Sequence, residues 1–139
     1  MNMEVIDRSN YLKALLILIG KDKKITEHEK EMMLKFGDIL GFDKKFCVNA
    51  INDLFENEYI VEEPPKFSNS SIAKMFIKDG IKLAFADHEM HLYELNWLKA
   101  VAERNGLDSK WCLTQFEDYK KAASIPGFNR LEVESYLMA

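Results

Sequence analysis

The sequence predicts an all-α fold, and three observations carry that reading. Apolar residues recur at helical spacing through most of the chain. No segment alternates with period two for long, "YIV" at 59–61 being the only strand-like patch. Residues 65 apart resemble one another, so each half of the chain reads as the same three helices. The expected architecture is about seven helices: two three-helix halves related by an approximate twofold axis, plus a short C-terminal helix.

Each element has its own signal. Ser9 is placed to cap a first helix running to about Gly20, with Leu12, Leu15, Leu16 and Ile19 inward. Thr26 starts a second, "TEHEKEMMLKFGDILG", which stops at Gly41. Asp43 caps a third carrying Phe46, Cys47, Ala50, Ile51 and Leu54. Pro64-Pro65 makes "ENEYIVEEPPKFSNSS" a connection rather than a helix. The cluster Ser68–Ser71 can cap a fourth helix reaching about Ala86. A fifth spans roughly His91 to Asn105 and ends at Gly106, and Asp108 caps a sixth through about Ala122. "SIPGF" then breaks the chain, and Asn129 is the expected cap of the last helix.

The repeat, approximately 11–55 against 76–120, is visible residue by residue. Asp22 falls on Asp87, Glu29 on Glu94, Gly41 on Gly106, Asp43 on Asp108, Lys45 on Lys110, Cys47 on Cys112 and Asp53 on Asp118. Apolar class is kept at Ile25/Met90, Met33/Leu98, Phe36/Val101, Phe46/Trp111, Val48/Leu113 and Ile51/Phe116. Upstream, Tyr11, Leu12, Leu16 and Leu18 fall on Phe76, Ile77, Ile81 and Leu83. The shared Gly suits a helix C-terminus, where left-handed backbone is needed, and the shared Asp two residues later suits the next N-cap.

Composition narrows the functional classes. A chain of 139 residues, 47 % hydrophobic and 30 % charged, is ordinary for one domain with a real core, here taken as 1–139. A net charge of −4 and a pI near 5.4 supply no attraction to phosphate, and no basic tract or RNA-reading aromatic motif occurs, so nucleic acid is not an expected partner. The opening "MNMEVIDRSN" has an acid in place of a basic n-region, so no secretory leader is expected. The longest wholly apolar run, "ALLILI", is far too short to cross a bilayer. Cys47 and Cys112 lie among apolar residues and in no C-x-x-C pattern, the pattern of buried, reduced thiols in a cytoplasmic protein.

The chemistry-bearing pattern is the acidic junction between helices. In each half a helix ends at D-x-x-[apolar], and Glu stands in the first turn of the next. "TEHE" is a capping box, T-x-x-E, in which Glu29 reaches back to the backbone of Thr26. In the second half His91 takes the place of Thr26, yet Glu94 is retained. Asp87 follows a helix C-terminus, where the dipole disfavours negative charge. Recurrence of such acids points to a cation: Asp22, Glu29, Asp87 and Glu94 offer oxygen ligands for Ca²⁺, Mg²⁺ or Mn²⁺.

"GKDKKITEHE…LG" and "FADHEMHLYELNWLKAVAERNGLD" resemble the two copies of the motif A-D-G-x-[apolar]-x-x-x-E…LG of the tellurite-resistance TerB-like domains, a kind of domain that also precedes the J domain of DjlA-type co-chaperones. The resemblance covers about Tyr11 to Tyr119. It implies an all-helical domain with an internal pseudo-repeat, and a metal held by Asp22 and Glu29 of the first copy and Asp87 and Glu94 of the second. The family's Gly after each Asp is Lys23 and His88 here, and the chain contains no "HPD" tripeptide.

Other motifs carry less. "HEMH" puts His88 and His91 at i, i+3, but a zinc site needs a third ligand and no clear candidate exists, so these are read as turn histidines. Neither E-x-x-H di-iron motifs nor an EF-hand loop occurs. Trp97 and Trp111 fall in apolar stripes and read as core. No nucleophile, base and orienter can be assembled, so the chain is expected not to be an enzyme, a metal-dependent hydrolase being the weakest reading. Two readings stand: a cytoplasmic module that binds a divalent cation and engages a protein partner, and a purely structural interaction domain whose acids only cap helices.

Overall fold

The computed structural model describes residues 3–20, 25–54, 63–87, 90–122 and 131–137, Asp87 and Ala122 by their backbone. Seven α-helices occur among them and no strand: α1 (Val5–Gly20), α2 (Glu27–Ile39), α3 (Lys44–Asp53), α4 (Ser70–Ala84), α5 (Leu92–Arg104), α6 (Ser109–Ala122) and α7 (Glu132–Leu137). A single 3₁₀ turn, Phe85–Asp87, extends α4. None of the described helices is long and apolar enough to cross a membrane.

α1 and α4 form the centre, which explains their apolar content on nearly every side. Tyr11, Leu15, Leu18 and Ile19 of α1 are buried against Phe76, Ile77 and Leu83 of α4 and its neighbours. Tyr11 and Phe76 meet edge to face with ring centroids 5.4 Å apart, and Phe67, from the connection before α4, closes the aromatic group at 5.9 and 5.7 Å. α2 packs on α1 and α5 on α4; α3 then packs on α2 and α6 on α5. α7 lies on α4 and α2.

Environments repeat with the sequence. Tyr11/Phe76, Leu12/Ile77, Leu18/Leu83, Met33/Leu98, Phe36/Val101, Cys47/Cys112 and Ile51/Phe116 are buried in both halves. Gly41 and Gly106 end α2 and α5 with φ of +89° and +71°, left-handed backbone that L side chains rarely adopt. Asp43 and Asp108 accept from the amides of Lys45 (3.4 Å) and Lys110 (2.9 Å), in the first turns of α3 and α6.

Four expectations are corrected or refined. The first helix begins at Val5, not at Ser9. Its opening turn exposes Val5 and Ile6 and buries Asp7, the reverse of the pattern by which a sequence marks a core-facing turn. Asp7 is held inside because its carboxylate accepts from Ser68 N (3.0 Å) and Ser68 Oγ (2.5 Å). Phe46 stands half out of the core, stacked on Phe42 at 5.7 Å, because α3 is an edge helix that inserts only Cys47 and Ile51. Trp97 is buried, with Nε1 donating to the Ala14 carbonyl at 3.0 Å, whereas Trp111 is only half-buried, with the Lys74 ammonium 5.8 Å above its ring. α4 ends at Ala84 and Asn69 caps it, its side chain accepting from Ile72 N at 3.0 Å. Asn129 and the "YIV" patch lie outside the described residues.

Candidate functional site

Of the four acids expected to act together, Glu29 and Glu94 are described in full. Asp22 lies outside the described residues, as does His88, and Asp87 is placed by its backbone as the last residue of the 3₁₀ turn.

The two glutamates occupy matching geometry. Thr26 is the N-cap of α2 at φ −75°, ψ 161°, and His91 the N-cap of α5 at φ −88°, ψ 155°. Glu29 Oε1 accepts from Thr26 N at 3.0 Å, and Thr26 Oγ1 accepts from Glu29 N at 3.1 Å, completing the capping box. Glu94 Oε1 accepts from His91 N, also at 3.0 Å. Both carboxylates are buried, 2 % and 3 % exposed. A glutamate is seldom this buried unless it is paired or hydrogen-bonded, and the N-cap amides supply part of that here. The His91 ring stacks on that of Tyr93, 5.2 Å between centroids, so it is not a free turn histidine.

The first turn of α2 is also tied to the second half. His28 Nδ1 donates to the Ala86 carbonyl at 2.8 Å, across 58 residues of sequence. That bond sets the turn holding Glu29 beside the 3₁₀ turn that ends at Asp87. Among the described residues no three His, Cys, Asp or Glu side chains gather as a metal-holding group.

A second polar centre was not anticipated from sequence. Asp79, in the middle of α4, is wholly buried. Its Oδ2 accepts from Tyr11 Oη at 2.5 Å and from Val133 N at 3.0 Å, and its Oδ1 from Glu132 N at 2.7 Å. Burial pushes its carboxyl up to about 6, against the pull of the Tyr11 hydroxyl, the two amides and the Lys82 ammonium. Burial, with the Asp79 charge next, holds the Tyr11 phenol well above its ordinary value. Lys82 meets Glu132 at 3.5 Å. A signal did exist: in "SIAKMFIKDGIKLA" the spacing Ile72, Phe76, Asp79, Leu83 puts the aspartate on the apolar face. Beside this centre lies a half-open cavity of about 130 Å³ between α4, α6 and α7. Lys78 and Lys82 in its lining are matched by Asp118 and Glu132, so it carries no net charge with which to select an ion.

Comparison with protein-family models, with curated proteins and with solved structures finds no match to this chain.

Proposed function

We propose that this chain is a non-enzymatic TerB-like helical module that binds a divalent cation through Asp22, Glu29, Asp87 and Glu94 and engages a protein partner in the cytoplasm. The observation that carries the reading is the burial of Glu29 and Glu94 in equivalent first turns. Two carboxylates removed from water at matching places gain more from a metal than exposed caps would. The His28–Ala86 bond supports it further, since it brings the Glu29 turn to the end of the segment that carries Asp87. A role in tellurite or other stress resistance rests on the family resemblance alone.

The test is the melting temperature of the whole chain with Ca²⁺, Mg²⁺ or Mn²⁺, alongside calorimetric titration. An ion at a hundredfold excess over its Kd stabilises by about 2.7 kcal/mol, on the order of 10 °C for a domain of this size. Asp87→Asn and Glu94→Gln each abolish the shift, and His88→Ala leaves it intact. The second reading, acids as caps and nothing more, is favoured by the hydrogen bonds that Glu29 and Glu94 accept from their N-cap amides. It requires that no ion move the melting temperature, and that Glu94→Gln be nearly neutral, because glutamine also serves in a capping box.

A further inference from the structure

α7 is six residues long, too short to hold together by its own hydrogen bonds. The first amides of any helix lack intrahelical partners. In α7 the amides of Glu132 and Val133 find theirs in Asp79, more than fifty positions earlier in the chain. The same carboxylate takes the Tyr11 hydroxyl, so one side chain joins α1, α4 and α7. Leu131 and Val133 are buried beside it, and the ion pairs Lys82–Glu132 (3.5 Å) and Lys35–Glu134 (3.3 Å) flank it. An offset of 65 places Asp79 on Ala14, an apolar residue of the first half, and no counterpart of α7 occurs there among the described residues. The aspartate and the helix it caps are a paired departure from the repeat.

We propose that Asp79 is a proton-linked latch for the C-terminal helix, and that α7 seats more firmly on the bundle as pH falls from neutral into the weakly acidic range. The titratable and charged groups facing Asp79 are Tyr11 from α1, Lys82 from α4 and Glu132 from α7. Their attraction and the two amides do not offset burial, which leaves the carboxyl near 6 against 3.8 for a solvated aspartate. Unseating α7 opens Asp79 to water and returns it towards the lower value. The seated state therefore takes up a proton that the unseated state releases. The resulting stabilisation is complete below about pH 4 and is lost as pH rises through about 6. The protonated carboxyl keeps acceptor capacity for the α7 amides, so protonation removes the buried charge without uncapping the helix.

The test is residue-resolved amide exchange on the full chain between pH 7.5 and 4.5, each rate corrected for intrinsic exchange. Protection of Val133 begins to rise near pH 6 on acidification and reaches roughly thirtyfold at pH 4.5, growing by about tenfold for each pH unit below that onset. In Asp79→Asn that rise disappears. In Tyr11→Phe, which removes a donor to the charged form and keeps the ring, the onset of the rise moves to higher pH. Protection that is flat or falls with acid in the wild type overturns the proposal, and so does an unchanged rise in Asp79→Asn. Should Asp79→Asn not fold, a Tyr11→Phe onset that stays or drops overturns it equally.

Discussion

The buried carboxylates among the described residues share one solution: each accepts from backbone amides. Asp7 takes Ser68 N, Glu29 takes Thr26 N, Asp79 takes Glu132 N and Val133 N, and Glu94 takes His91 N. They differ in how far away the amide lies. Glu29 and Glu94 bond three residues back, so a short pattern in the sequence exposes them. Asp7 and Asp79 bond more than fifty residues forward, and no local pattern encodes such a partner. The cysteines sit at the legible end, since an apolar helical context was enough to place both thiols inside: Cys47 is 3 % exposed and Cys112 wholly buried, both free. Burial raises both thiol pKa values; the Asp43 and Asp38 charges add to it at Cys47, and Lys99 opposes it at Cys112. Little thiolate is present at neutral pH. Labelling of native protein by a thiol reagent is therefore expected to run at least tenfold slower than in denaturant, with the two states compared at pH 7.5.

Among the elements, helix ends were read better than helix faces. Thr26, Asp43 and Asp108 cap where their residue type said they would, because a cap is a local hydrogen bond and a local sequence can specify it. The start of α1 escaped because its anchors are polar: Asp7 on Ser68, and Arg8, whose Nε donates to Met3 O at 2.8 Å and whose Nη1 donates to Leu40 O at 2.9 Å. Phe46 shows the limit of the apolar signal, since an aromatic at helical spacing is buried only when a second helix arrives to cover it. The C-terminal stops give a quantitative prediction. An added Cβ at Gly106 meets nothing within 4 Å, so Gly106→Ala costs only the left-handed backbone, roughly 1–2 kcal/mol. Gly41→Ala costs about the same, its nearest neighbour being Arg8 Nη1 at an ordinary 3.5 Å. Urea denaturation of the two variants checks both values. A neutral result at either position would mean that the turn relaxes into another conformation.

For the whole molecule, the question is whether the two halves act as one site or as two copies of a cap. Burial of paired positions and the shared geometry of Thr26 and His91 make the halves alike in environment. The His28–Ala86 bond joins the start of α2 to the end of α4. Such likeness alone does not distinguish a shared ion from two independent caps, but additivity does. If Glu29 and Glu94 serve one cation, either Glu29→Gln or Glu94→Gln removes the Mn²⁺-induced rise in melting temperature, and the double variant loses nothing more. The cycle is then strongly non-additive when metal is present. Without metal, like charges drawn into one small volume repel, so each neutral substitution is level or slightly stabilising, and the pair less than additive. If each glutamate only caps its own helix, the two effects are small, equal with and without metal, and additive within about 0.5 kcal/mol. Four melting curves in buffer and four with Mn²⁺ separate the two cases. The Asp79 latch stands apart from this outcome, because its partners are Tyr11 and the amides of α7 rather than the acidic junctions.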